Sequence, residues 1–158
     1  MSQRRRVYPS AEELRVWREF IETAEALRAE LAGRLQEDFA LSPGDYSVLL
    51  ALSEAEGNRL RSSVLAAAIG WERSRLSHHL GRMERRGLIR RVECAADSRG
   101  AEAVLTEEGA GAFRAASLPH LREIRELFVD PLTPEQIAAV GEVATTLRAG
   151  LERRRGRP

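Results

Sequence analysis

Apolar positions in this chain recur mostly at steps of three and four, the spacing of one helix face, and shift to a shorter period after Gly87. The first stripe, Leu14, Trp17, Ile21, Ala24, Leu27, Leu31 and Leu35, predicts a helix from about Ser10 to Asp38, with Ser10 and Glu13 spaced as a capping box. A helix that long has more apolar face than a small lobe can cover. Ser42-Pro43 with Asp45 in the first turn predicts a second helix, buried through Tyr46, Leu49, Leu50 and Leu52. Glu56-Gly57-Asn58 reads as a turn and Arg59-Leu60-Arg61 as a very short strand. Ser62 is expected to cap a short helix through Val64, Leu65, Ala68 and Ile69, stopped by Gly70. A further helix runs from about Glu72 to Arg86, with Gly87 as its stop.

The period then changes. Leu88 to Cys94 and Ala101 to Leu105 read as two strands of a hairpin whose tip is the loop Ala95 to Gly100. Thr106, followed by Glu107 and Glu108, opens a fifth helix through Phe113, Ala116, Leu121, Ile124, Leu127 and Phe128, which Pro119 should kink. Leu132-Thr133-Pro134-Glu135-Gln136 opens the last, with Ile137, Val140, Val143 or Ala144, Leu147 and Leu151 as its stripe. The expected fold class is mainly α with a small β-hairpin wing. The expected organisation is a helical dimerisation region (1–40 and 107–158) around a winged helix-turn-helix lobe (41–106).

Composition changes this picture little until charge is resolved along the chain. A hydrophobic fraction of 43% and a charged fraction of 31% suit a soluble globular protein. No apolar run is long enough to span a membrane, the N-terminal basic residues precede no apolar segment, and a cytoplasmic location is expected. The single cysteine, Cys94, allows no intrachain disulfide. The net charge is only +1, yet residues 59–101 hold 10 arginines against 4 acids, while 1–58 hold 7 against 11 and 102–158 hold 8 against 9. A segment of +6 between flanks of −4 and −1 points to a polyanionic partner.

Helix, short turn, helix and hairpin is the order of a winged helix-turn-helix, whose second helix enters the DNA major groove. On a wheel at about 100° per residue, Leu76, Leu80 and Met83 mark the core side of the basic helix. Ser74, Arg75, His78, Arg82 and Arg85 lie opposite, with Arg73 and Ser77 near the edges. Arg61 and Ser62 stand at the start of the preceding helix, where backbone N–H groups face anions. Arg99 sits at the hairpin tip, where Asp97 is placed to orient it and a narrow minor groove would receive it.

Residues from about 10 to 155 resemble the MarR family of bacterial transcriptional regulators. The segments that carry the likeness are Leu41 to Tyr46, Ser74 to His78, Arg82 to Ile89, Asp97 to Gly100, Leu105 to Gly109 and Leu132 to Gln136. The resemblance implies a homodimer with interlocked terminal helices, and two winged lobes on a pseudo-palindromic operator in double-stranded DNA. It also implies a repressor modulated by a small aromatic or anionic effector. In the family the effector pocket lies where the dimer helices meet the winged lobe, which nominates Trp17, Tyr46, Phe113 and His120, with Arg15 or Arg18 as anion donors. His78, His79 and Glu72 depart from the family pattern, so base preference does not carry over.

Other chemistry is sparse. Cys94 beside Glu93 is disfavoured as a thiolate, which argues against redox sensing. His78, His79 and His120 lack the i, i+4 spacing of a helical metal site. No phosphate loop, nucleophile elbow or triad spacing is present, and neither catalysis nor a cofactor is expected. A basic winged-helix module that binds an acidic protein, without operator preference, stands as the alternative, followed by a metal- or redox-responsive regulator.

Overall fold

A computed structural model describes residues 8–93 and 101–155 of the chain. The readings of Cys94, Asp97 and Arg99 lie outside the described residues. Contacts divide the chain into two compact units, Met1–His120 and Leu121–Pro158. Leu35, near the end of the first helix, and Ala116, in the fifth, sit in the hydrophobic core of the first unit.

In the first unit, α1 (Ala11–Phe39) starts on the expected box: Glu13 N–H donates to Ser10 Oγ at 3.2 Å, and Ser10 N–H to Glu13 Oε2 at 2.6 Å. It ends at Ala40 in the left-handed conformation, φ 53°. Of its stripe only Leu35 is buried, and Trp17 is 58% exposed. α2 (Pro43–Glu54) has a second box, between Ser42 and Asp45. It buries Asp45, Val48, Leu49 and Leu52. Tyr46 is only half-buried and Leu50 is exposed, correcting the predicted face by one residue.

β1 (Arg59–Arg61) leads into α3 (Ser62–Ile69), which buries Leu65 and Ala66 and leaves Val64 exposed. Ser62 does not cap it. The cap residue is Arg61, and the Ser62 hydroxyl donates instead to the Ala101 carbonyl at 2.8 Å, fastening α3 to the sheet. After Gly70 comes α4 (Arg73–Arg85), and Gly87 (φ 75°) makes the left-handed turn that returns Leu88 N–H to the Met83 carbonyl at 3.1 Å.

β2 (Ile89–Glu93) and β3 (Ala101–Leu105) pair antiparallel, Arg91 opposite Ala103. β1 adds to the other edge of β3, Leu60 opposite Ala103, giving the order β1-β3-β2. Thr106 then caps α5 (Glu107–Ile124), accepting from Gly109 N–H at 3.0 Å while its hydroxyl faces the Leu88 carbonyl at 2.9 Å. Gly109 makes this docking possible, since a Cβ there would stand 2.0 Å from the Leu88 oxygen. The core combines Leu41, Val48, Leu49, Leu52, Leu65, Leu76, Leu80, Met83 and Ile89.

α5 continues through Pro119, and the departure from α geometry falls later, in a π turn at Arg125–Val129. In the second unit α6 (Pro134–Arg155) opens on a Thr133–Gln136 box, with bonds of 3.3 and 2.9 Å. None of its residues is buried, and Val143, Leu147 and Leu151 are at least half exposed. Among the described residues no helix is long and apolar enough to cross a membrane.

Candidate nucleic-acid interface

The amphipathic pattern of α4 is realised as read. Leu76, Leu80 and Met83 are buried, while Arg73, Ser74, Arg75, Ser77, His78, Arg82 and Arg85 are all exposed. Glu72 precedes the helix and its side chain makes no capping hydrogen bond to the first-turn N–H groups. Arg61 is exposed, whereas the Ser62 hydroxyl is committed to the sheet.

The basic charge of this segment has two destinations. Part is neutralised inside the lobe: Arg91 bonds Glu84 at 2.8 Å, joining β2 to α4, and Arg59 lies 3.7 Å from Glu102 on the neighbouring strand. Glu84 also accepts the Arg91 backbone N–H, and these bonds hold its carboxyl below the usual value. Arg86 bonds Asp45 at 2.7 Å and donates to the carbonyl of Ala40, tying the start of α2 and the end of α1 to the end of α4. The other part points outward from α4 through Arg73, Arg75, Arg82 and Arg85.

Beneath that outward face lies a buried polar group that sequence reading missed. His79 is 6% exposed and Asp45 3%. His79 Nε2 stands 2.9 Å from Asp45 Oδ1, close but misaligned for a hydrogen bond. Its Nδ1 is 2.8 Å from the Arg82 guanidinium, which can only donate, so Nδ1 is the acceptor and the ring proton lies on Nε2, towards Asp45. Burial pushes the His79 pKa below the ordinary histidine value of 6.5. Asp45 pulls it upward, by less, and Arg82 pushes it further down, so the ring is neutral at pH 7.

For Asp45, burial alone would raise the carboxyl. The Ser42 N–H at 2.9 Å, then Arg86 and the Ser42 hydroxyl, outweigh it and keep the group ionised below the usual range. Trp71, in the turn before α4, meets the His79 ring edge-on at 5.0 Å, and the Arg75 guanidinium lies over the indole at 4.0 Å. Gly44 leaves room for this indole: a Cβ there would come within 2.6 Å of it. The signal for His79 was present on the wheel, about 60° from Leu76 at 100° per residue and so beside the core arc.

The six residues nominated for an effector separate into two groups. Tyr46 meets Phe113 at 5.3 Å and His120 at 4.6 Å between ring centroids. Tyr46 and His120 line a cavity of about 460 Å³, with Glu25, Arg28 and Leu31 of α1 on its wall. Arg15, Trp17 and Arg18 are not at this cavity. Arg15 is paired with Glu12 and Glu19 nearer the start of α1, at 2.6 and 2.8 Å. Arg28, which the sequence reading passed over, is the arginine at the cavity. Among the described residues no three His, Cys, Asp or Glu side chains come together as a metal site.

A model of the MarR family matches residues 41–100. Among solved structures, the chain is similar to AbsC, a MarR family transcriptional regulator from Streptomyces coelicolor. The two are 37% identical with a TM-score of 0.84, over 96% of this chain and 100% of that one. It is also similar to Sco3205, another MarR family transcriptional regulator from Streptomyces coelicolor, solved in complex with DNA. There the identity is 38% and the TM-score 0.88, over 92% of each chain. No curated protein matches the chain.

Proposed function

The chain belongs to the MarR family of transcriptional regulators, and from that premise we propose that it is a homodimeric repressor of a pseudo-palindromic operator. The observation that carries the reading is the outward face of α4, where four arginines, two serines and His78 stand exposed over a face that buries Leu76, His79, Leu80 and Met83. In this reading α4 enters the major groove, where arginine bonds guanine O6 and N7. Arg61, Arg73 and the uncapped start of α4 meet phosphates. Arg99, two residues after Asp97 in sequence, reads minor-groove width. The DNA complex of Sco3205 supports the assignment through a relative 38% identical to this chain.

The exposed apolar positions of α1 and of α6 supply the dimer surface, and a second copy of the chain covers them. A small aromatic or anionic effector occupies the cavity at Tyr46 and His120, with Arg28 as the anion donor, and its binding relieves repression. This moves the anion donor from the Arg15 or Arg18 expected from sequence to a residue that lines the cavity.

Footprinting on the DNA flanking the chain's own gene tests the reading. A protected pseudo-palindrome is expected, with affinity falling about 10³ to 10⁵-fold between 50 and 200 mM salt for six to ten phosphate contacts. Equal, salt-insensitive binding to all duplexes, with no protected site, would favour the protein-interaction module.

A further inference from the structure

Two of the arginines on the outer face of α4 are not free side chains. Arg82 is held by the acceptor nitrogen of His79 at 2.8 Å, and Arg75 lies 4.0 Å over the ring of Trp71. His79 and Trp71 touch each other edge-on at 5.0 Å. The imidazole behind Arg82 is confined by burial, with its other nitrogen 2.9 Å from Asp45, and Asp45 is held by Arg86 at 2.7 Å. A single connected assembly, with Asp45 and His79 buried, Trp71 partly buried and Arg86 exposed, therefore touches both guanidinium groups.

We propose that His79 and Trp71 are positioning residues for DNA recognition, with the imidazole Nδ1 presenting Arg82 and the indole face presenting Arg75 in the geometry in which they contact DNA. The proposal rests on the reading of α4 as the DNA-contacting helix. An arginine in water loses rotamer freedom when it docks on a base or phosphate, whereas one already held on a rigid platform loses less. A neutral imidazole is well suited to the task. Its Nδ1 accepts one guanidinium N–H and leaves the remaining donors for DNA. It adds no positive charge to repel Arg82, which burial ensures by disfavouring protonation. The indole face holds Arg75 through the ring quadrupole and occupies none of its N–H groups. Arg85, on the same exposed face, has neither support among the described residues.

A double-mutant cycle separates positioning from a merely structural role. The readout is affinity for a duplex carrying the footprinted operator, measured by fluorescence anisotropy at fixed salt and pH 7.5 on full-length protein, with folding checked by circular dichroism. Arg82→Ala should weaken binding about tenfold in the otherwise unchanged protein. In a His79→Leu background, where the acceptor is gone, it should weaken binding at most about twofold. Arg85→Ala should cost the same in both backgrounds. His79→Asn, whose amide oxygen can take the place of Nδ1, should restore the sensitivity to Arg82→Ala. A second cycle pairs Trp71→Leu with Arg75→Ala and predicts the same loss of effect; it decides the question should His79→Leu not fold. If Arg82→Ala and Arg75→Ala cost the same in both backgrounds, His79 and Trp71 are only structural and the proposal is overturned while the DNA-binding reading stands. If neither substitution weakens binding in the unchanged protein, the reading of α4 fails and the proposal fails with it.

Discussion

α4 and α6 are both amphipathic in sequence, with arginines in their last turns, yet they stand differently to solvent. α4 has 13 residues and buries Leu76, His79, Leu80 and Met83, whereas α6 has 22 and buries none. The apolar side of α4 is completed by its own lobe, which frees the opposite side for a polar partner. The apolar side of α6 is left with Leu147 51% exposed and Leu151 60% exposed. α1 combines both behaviours, with Leu35 in the core and Trp17 and Phe20 exposed towards its start. The lesson is that periodicity identifies a face but not its partner. The partner becomes visible only when burial is set beside pattern, and contiguous exposed apolar surface is what an association site leaves in a single chain.

The contrast makes α6 the place where a substitution should most affect association. A Leu147→Glu change enters a two-fold interface twice, so it should weaken the dimer by about 3–6 kcal/mol from lost apolar burial. Light scattering at micromolar concentration should then report a monomer with an intact lobe, and a persistent dimer would break the comparison. Leu80→Ala acts on the other side of it. Truncating a fully buried leucine should cost the lobe about 3 kcal/mol in denaturant unfolding, leaving α6 as exposed as before.

Gly109→Ala should cost about 2 kcal/mol, because the new methyl meets the Leu88 carbonyl and α5 must shift. Asp45→Asn should be milder, about 1–2 kcal/mol, since its partner Arg86 is 41% exposed and solvent screens the pair.

Asp45→Asn also sharpens the comparison through pH. The Asp45 carboxyl is held below its ordinary value of 3.8, so its contribution is complete above that value and is lost as pH falls through the lower, folded one. The neutral His79 contributes fully above the ordinary value of 6.5 and progressively less below it, because the unfolded chain binds the proton first. Unfolding free energy should therefore decline on acidification in two regions. Asp45→Asn should make the more acidic decline shallower, leaving the part due to Glu84, and a profile unchanged by it would show that the buried carboxylate is not coupled to folding.

Most of the lobe was legible because its signals are local. Ser10 with Glu13, Ser42 with Pro43, and Thr106 before two glutamates mark helix starts that the structure realises. Gly70 and Gly87 mark turns whose left-handed φ values, 68° and 75°, explain the residue type. The misreadings are tertiary. Ser62 looks like a cap, but the Ala101 carbonyl, 39 residues away, captures its hydroxyl. Leu50 and Val64 are as apolar as their buried neighbours, yet the fold leaves them exposed.

The buried Asp45–His79 pair, with Arg82 on its outer side, was missed for a similar reason. Asp45 reads locally as a capping residue, which it is, and nothing in its neighbourhood announces partners 34 and 41 residues away at His79 and Arg86. Arg28 was passed over because its position at a cavity follows from where α1 meets α2, not from its own sequence context.

Arg75→Ala, assayed on matched and mismatched operators, decides whether the outward face of α4 reads bases while its inward face only supports. Each variant is titrated against the footprinted duplex, a set with single base pairs changed in the half-site, and an unrelated duplex, at one salt concentration. The expected result is a loss of about 1–3 kcal/mol on the matched operator, with discrimination relaxed at one base pair per half-site and binding to the unrelated duplex little changed. A uniform loss across all duplexes would make Arg75 a phosphate contact. No loss on any duplex would show that this face of α4 does not read DNA.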